Sequence, residues 1–222
     1  MSLARQLLCL LATSLFVSTA SAASLNVVVK SADGTALTDA VVYATPDGAP
    51  AVATNRTAIM DQKDRTFVPH VLPVQIGTSV RFPNSDDIQH SVYSFSAAKT
   101  FQLPLYKGTP ANPVVFAEPG VATLGCNIHD KMNAYVVIVD TPYFAKTESV
   151  GQVDLRNLPA GHYTVHAWHP DMKEAPPAQS LTVSDEERKD LVFVVTEAPA
   201  ALTTAPLNKL EQKFKKYGNG GS

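Results

Sequence analysis

From Leu25 to Val195 the chain is written in short apolar or alternating runs, broken by Gly, Pro, Asn and Asp. Such runs suit strands, because an extended backbone sends successive side chains to opposite faces. The pattern predicts strands at LNVVVK, AVVYAT, AIMDQ, FVPHVLPV, SVRFPN, HSVYSFS, FQLPL, PVVFAE, VATLGC, AYVVIVD, GQVDLR, HYTVHAWH, QSLTV and DLVFVV. Turn chemistry separates them at Asp33-Gly34, Gly77-Thr78, Pro119-Gly120 and Ala160-Gly161. Only SDEERK breaks the texture. Ser184 with Glu187 three places on is a capping-box pattern and predicts one helical turn. The expected fold class is all-β.

Both ends depart from this pattern. Residues 1–22, MSLARQLLCLLATSLFVSTASA, carry Arg5, an apolar run from Leu7 to Val17, and small residues ending Ala20-Ser21-Ala22. That is the order of a secretory signal peptide cut after Ala22, with an apolar run too short to cross a bilayer. Export to a periplasm is the expectation. Residues 198–222 form a linker and a tail, in which Leu207, Leu210, Phe214 and Tyr217 fall at helical spacing among Lys209, Lys213, Lys215 and Lys216. A twelve-residue helix is marginal in isolation, so the tail is expected to pack on the body. Docking on a partner or an anionic membrane face is the alternative.

Composition narrows the choices. The 222 residues suffice for one large or two small domains. Loss of Arg5 with the signal takes Lys and Arg from 18 to 17 against 20 acids, a net charge of about −3, which argues against nucleic acid as a partner. Cys9 leaves with the signal and Cys126 remains alone. A lone thiol in an oxidising compartment is vulnerable unless something holds it, and a metal bond would.

The surroundings of Cys126 supply that possibility. LGCNIHDKMNAYVVIVD sets Cys126, His129 and Met132 at three-residue intervals before a strand. Upstream, SVRFPNSDDIQHSVYSF ends one strand at Asn84 and begins another at His90. Antiparallel pairing would bring His90 beside the Cys126 loop. Two imidazoles, a thiolate and a weak thioether are the donor set of an electron-transfer copper site. Gly125 and Asn127 flank the cysteine, so no neighbouring His leads to further coppers, and a binuclear centre would need a second Cys. The thioether disfavours zinc.

These two segments, FPNSDDIQH and GCNIHDKMNAYVVIVD, resemble the ligand segments of cupredoxins. The C-x2-H-x2-M loop is similar to that of amicyanin and pseudoazurin. The stretch from FVPHVLPVQIGTSVRFPN to IHDKM resembles the plastocyanin-like proteins known as methylamine-utilisation proteins. The resemblance covers residues 57–140. It implies a Greek-key sandwich holding one type 1 copper on His90, Cys126, His129 and Met132, with His129 as the exposed ligand edge. One departure stands out: many cupredoxins follow the first ligand His with Asn, which ties the ligand loops together, whereas here Ser91 follows. The flanks, residues 23–56 and 141–197, resemble the small transthyretin-like or carboxypeptidase-regulatory-like sandwich, LPAGHYTV most of all. An inserted domain in a split sandwich is the expectation, and one enlarged sandwich the alternative.

The implied function is a carrier of single electrons between transient redox protein partners, and not an enzyme. A copper-binding or delivery protein and a metal-free interaction module are the alternatives, as is a Cys126–His129 nucleophile pair. The other histidines are His70, His162, His166 and His169. His162 and His166 lie about 13 Å apart along one strand face, too far to share a metal. Met60, Gln62 and His70 would form a second copper site only if their strands bring them together.

Overall fold

The computed structural model describes residues 22–48, 53–129 and 131–198. The expected signal segment, apart from Ala22, and the expected tail helix lie outside the described residues. Every regular element among the described residues is a strand, so the chain is all-β. β1 (Ala23–Ser31) and β2 (Val41–Pro46) come first. Then follow β3 (Thr57–Ile59), β4 (Asp61–Lys63), β5 (Thr66–Val68), β6 (Val71–Gln75), β7 (Thr78–Arg81), β8 (His90–Ser96), β9 (Lys99–Tyr106), β10 (Val114–Phe116), β11 (Gly120–Gly125) and β12 (Asn133–Val139). The last are β13 (Phe144–Lys146), β14 (Gln152–Leu158), β15 (Gly161–Trp168), β16 (Gln179–Val183) and β17 (Arg188–Val195).

β1 and β2 pair with the last five strands, in the sheets β14-β1-β17 and β13-β2-β15-β16. β1 alternates strictly between buried and half-buried positions. Its inward Leu25, Val27 and Val29 share one core with Val42 and Ala44 of β2 and Tyr163 and Val165 of β15. The strands between make a second sandwich, of sheets β10-β7-β3 and β6-β12-β11-β8-β9, with β4-β5 as a separate hairpin. The chain crosses between these sheets at β6–β7, β7–β8, β9–β10 and β10–β11, in the manner of a Greek key. Met60, Val80, Phe82 and Phe116 belong with Val92, Leu124, Val136 and Ile138 to its core.

β12 explains the unbroken apolar run AYVVIV. Ala134, Val136 and Ile138 face the second core, while Val137 and Val139 join Val41 and Val71 in a third cluster between the two sandwiches. A strand covered on both faces has no polar positions to alternate with. Burying each of these valines contributes about 1.5–3 kcal/mol, as an upper estimate.

Three details depart from the sequence pattern. AIMDQ breaks at Met60, because β3 pairs with β7 while β4 pairs with β5. FVPHVLPV breaks at Pro69-His70, where the partner changes from β4 to β12. SDEERK forms a tight turn instead of a helical one. The Ser184 amide donates to the Glu187 carboxylate at 2.8 Å as in a capping box, but Glu186 at φ 63° turns the chain into β17. β13 was not signalled by the pattern at all.

Candidate metal centre

The site lies where β8 begins and β11 ends. Gly125 is the residue of β11 that pairs with β8, opposite Tyr93. A Cβ on Gly125 would lie 2.5 Å from the Tyr93 ring, so only glycine lets that ring cover the strand end. Cys126 is thereby delivered beside Ser91 and His90. The loop then closes on itself, with the Met132 amide donating to the His129 carbonyl at 2.9 Å.

Cys126 Sγ lies 3.9 Å from His90 Nδ1 and 3.9 Å from His129 Nδ1. All three donor atoms fall within 4.8 Å of one another, and among the described residues no other group of three or more such side chains converges this way. A point equidistant from them is at most about 2.5 Å from each, close to the 2.0–2.3 Å of nitrogen and sulfur bonds to a metal. The donor set therefore fits one soft or borderline metal ion. His90 and Cys126 are buried and His129 is half-buried. Met132 is buried in the same apolar cluster as Cys126.

Neighbouring groups prepare these donors. His90 Nε2 lies 2.7 Å from Asp86 Oδ2. A carboxylate accepts only, so Nε2 carries the proton and Nδ1 keeps its lone pair on the side of Cys126. Asp86 also accepts the amides of Asp64 (2.7 Å) and Arg65 (2.9 Å). Both residues have positive φ, 55° and 59°, as a type I′ hairpin turn requires. Burial raises the Asp86 carboxyl, but the Arg65 amide, the His90 ring and the Asp64 amide outweigh it and hold it below its ordinary value. The β4–β5 hairpin is thus tied to a buried imidazole through one carboxylate. Ser85 strengthens the tie by donating to Asp61 at 2.7 Å.

Ser91 links the two donor segments. Its Oγ accepts the Asn127 amide at 2.9 Å, and its hydroxyl reaches Cys126 Sγ at 3.8 Å. Serine here makes a cross-loop tie and also supplies a donor to the sulfur. Asn84 sets the loop leading to His90: its amide group donates to the carbonyls of Ile88 (2.9 Å) and Tyr106 (2.8 Å), and its oxygen accepts the Asp86 amide (3.0 Å). The roles of Asp86 and Asn84 were not read from the sequence. The signal that could have found them is the Asn-Ser-Asp spacing, which favours an Asx turn.

The remaining histidines are placed elsewhere. His70 is 45 % exposed, near Asp39 and edge-on to Tyr135, while Met60 and Gln62 are fully buried. His162 meets Thr182 at 2.7 Å, His166 stacks on Tyr43, and His169 meets the Thr38 carbonyl at 3.0 Å.

No protein-family model and no curated protein matches the chain. Solved structures similar to it include a copper-containing nitrite reductase from Thermus scotoductus SA-01, at 22% identity over 43% of this chain and 25% of that one, TM-score 0.35. A purple cupredoxin from Nitrosopumilus maritimus matches at 22% identity over 37% of this chain and 99% of that one, TM-score 0.33. A reduced variant of amicyanin matches at 22% identity over 44% of this chain and 99% of that one, TM-score 0.35. The chain thus spans a quarter of the reductase and nearly all of the two smaller proteins.

Proposed function

We propose that this protein is an exported, periplasmic cupredoxin of the type that carries one electron on a single type 1 copper. The observation that carries the reading is the convergence of His90 Nδ1, Cys126 Sγ and His129 Nδ1 at one buried point, with the His90 tautomer fixed. These three atoms and the Met132 thioether would hold the metal. Copper in such a donor set supplies a one-electron couple.

What the chain contributes is a frame that keeps its donors still. Asp86 orients His90, Ser91 braces Cys126 against Asn127, and the β8–β11 pairing fixes the spacing between them. Donors that do not move between oxidation states cost little reorganisation. His129 is the half-buried ring of the set. Exposed Ile88, Leu105 and Ile128 neighbour the donor segments in sequence or register and offer an apolar rim for a partner. Contacts of this kind are small and transient. The unit spanning residues 57–140 would carry the electron, and the flanking sandwich of 23–56 and 141–197 would add docking surface. On this reading the protein is a carrier rather than an enzyme.

Purified protein titrated with Cu(II) should bind one equivalent and develop an intense visible sulfur-to-copper band. Reductant should bleach it and oxidant restore it. Cys126→Ser should abolish the band. A colourless Cu(I) form that resists oxidation would point to copper delivery instead. Persistence of the band in Cys126→Ser would remove the ligand assignment.

A further inference from the structure

A cleft of about 450 Å³ opens where the two sandwiches meet, and it shares no lining residue with the copper donors. One wall is the outward face of β2 and β15. Alternation sends Val42, Ala44, Val165 and Ala167 into the first core and turns Tyr43, Thr45, His166 and Trp168 toward the cleft. In the antiparallel register Tyr43 stands opposite His166. Their rings stack, with centroids 4.9 Å apart and planes 16° from parallel. The other wall is the end of β12, with Val137 and Val139, and the approach to β11 at Pro119 and Gly120. Small-molecule sites have volumes of this order and favour the boundaries between folded units.

The charge of the cleft is one-sided. Asp140 and Asp47 line it, and among the described residues no Lys or Arg does. Neither carboxylate belongs to an ion pair among the described residues. The Thr45 hydroxyl reaches Asp140 only at 3.5 Å. Asp140 is half-buried and acts on the stacked rings. Burial first, and its charge after that, raise the Tyr43 hydroxyl. At His166 burial lowers the ring and outweighs the Asp140 charge, so the imidazole is neutral near pH 7 and answers no carboxylate. Negative charge, aromatic rings and apolar valines therefore share one space. Anions are repelled from it, and a neutral guest would leave Asp140 uncompensated. An ammonium satisfies the carboxylate and is also attracted to aromatic faces.

We propose that this cleft binds a small organic cation, an ammonium carried on a flat apolar body. The ammonium sits on Asp140, and the body lies among the Tyr43–His166 stack, Trp168 and the β12 valines. Asp47 is exposed at the rim and draws the cation in. The guest touches both sandwiches and so braces their junction. This site stands independently of the copper reading.

The chain has one tryptophan, so the fluorescence of Trp168 reports on the cleft directly. Three probes of one shape and different charge are benzylammonium, benzyl alcohol and benzoate, each titrated into the purified full chain at pH 7. Benzylammonium should give a saturable change, with affinity about tenfold above that of benzyl alcohol, and benzoate should give none. Asp140→Asn should lower benzylammonium affinity about tenfold, the low end for a hydrogen bond to a charged group, and leave benzyl alcohol where it was. No saturable response, equal responses to the three probes, or an unchanged benzylammonium affinity in Asp140→Asn would overturn the proposal. If Asp140→Asn fails to fold, the ratio of ammonium to alcohol affinity in wild type decides. None of these results bears on the copper band, so the copper reading stands or falls separately.

Discussion

Asp86 is the side chain on which His90 depends for its tautomer. It accepts one ring proton and two amides with its two oxygens, so its charge and its geometry can be separated by mutation. Asp86→Asn keeps an oxygen but removes a negative charge next to His90, the proposed ligand. The reduction potential should rise by tens of mV, on the scale of about 59 mV per tenfold change, as read by redox titration. Ser91→Ala should act in the opposite direction. It removes a hydroxyl that donates to Cys126 sulfur, which favours the reduced state less, so the potential should fall. It also removes the acceptor of the Asn127 amide, lowering stability by roughly 0.5–1.5 kcal/mol in a denaturant titration. At this scale the sequence shows donors far better than their supports. Cys126, His129 and Met132 stand out because their spacing is local and their chemistry distinctive. Asp86 looks like an ordinary loop residue, and its role arises only from what folding sets against it.

The β4–β5 hairpin and the end of β11 hold the site as elements. Gly125→Ala would press a Cβ into the Tyr93 ring and shift the strand end that delivers Cys126. The expected outcome is a folded protein with broadened or displaced copper absorption and a loss of about 1–3 kcal/mol on thermal melting, typical of overpacking. A separate element reports on pH. In the β1–β2 turn, the Ser31 hydroxyl first, then the Thr35 amide, push the Asp33 carboxyl from 3.8 down to about 2. A carboxyl depressed by folding contributes above its ordinary value and loses that contribution as pH falls toward 2. The Thr35 amide resonance should therefore titrate below pH 4 in wild type and stay flat in Asp33→Asn. Strands were legible wherever alternation or a β-branched run was long enough. Their breaks were not, because AIMDQ and FVPHVLPV are interrupted by a change of partner, which no local pattern records. The hairpin turn was hidden for a similar reason, since Asp64 and Arg65 adopt positive φ without glycine.

Across the whole molecule, the two sandwiches meet through Val41, Val71, Val137 and Val139. The chain crosses between them after β2 and again after β12. Val137 is buried, and the ring of Trp168 packs against the same cluster. Wild type should therefore unfold in one calorimetric transition. Val137→Asp buries a carboxylate with no partner there, at a cost of several kcal/mol, and should split the transition in two or lower it sharply. The all-β class and a strand at AYVVIVD were visible in the sequence, but not that β12 is covered on both faces. The pairing of β1 with β17, more than 100 residues apart, is recorded by no local pattern, and the expectation of a split sandwich comes from the resemblance of the flanks alone.

The account turns on one ion among three converging atoms. Crystals of the Cu(II)-loaded protein, measured at the copper absorption edge, test this most directly. The account predicts one anomalous peak per chain, at bonding distance from His90 Nδ1, Cys126 Sγ and His129 Nδ1. A peak located elsewhere, or none after stoichiometric loading, would contradict it.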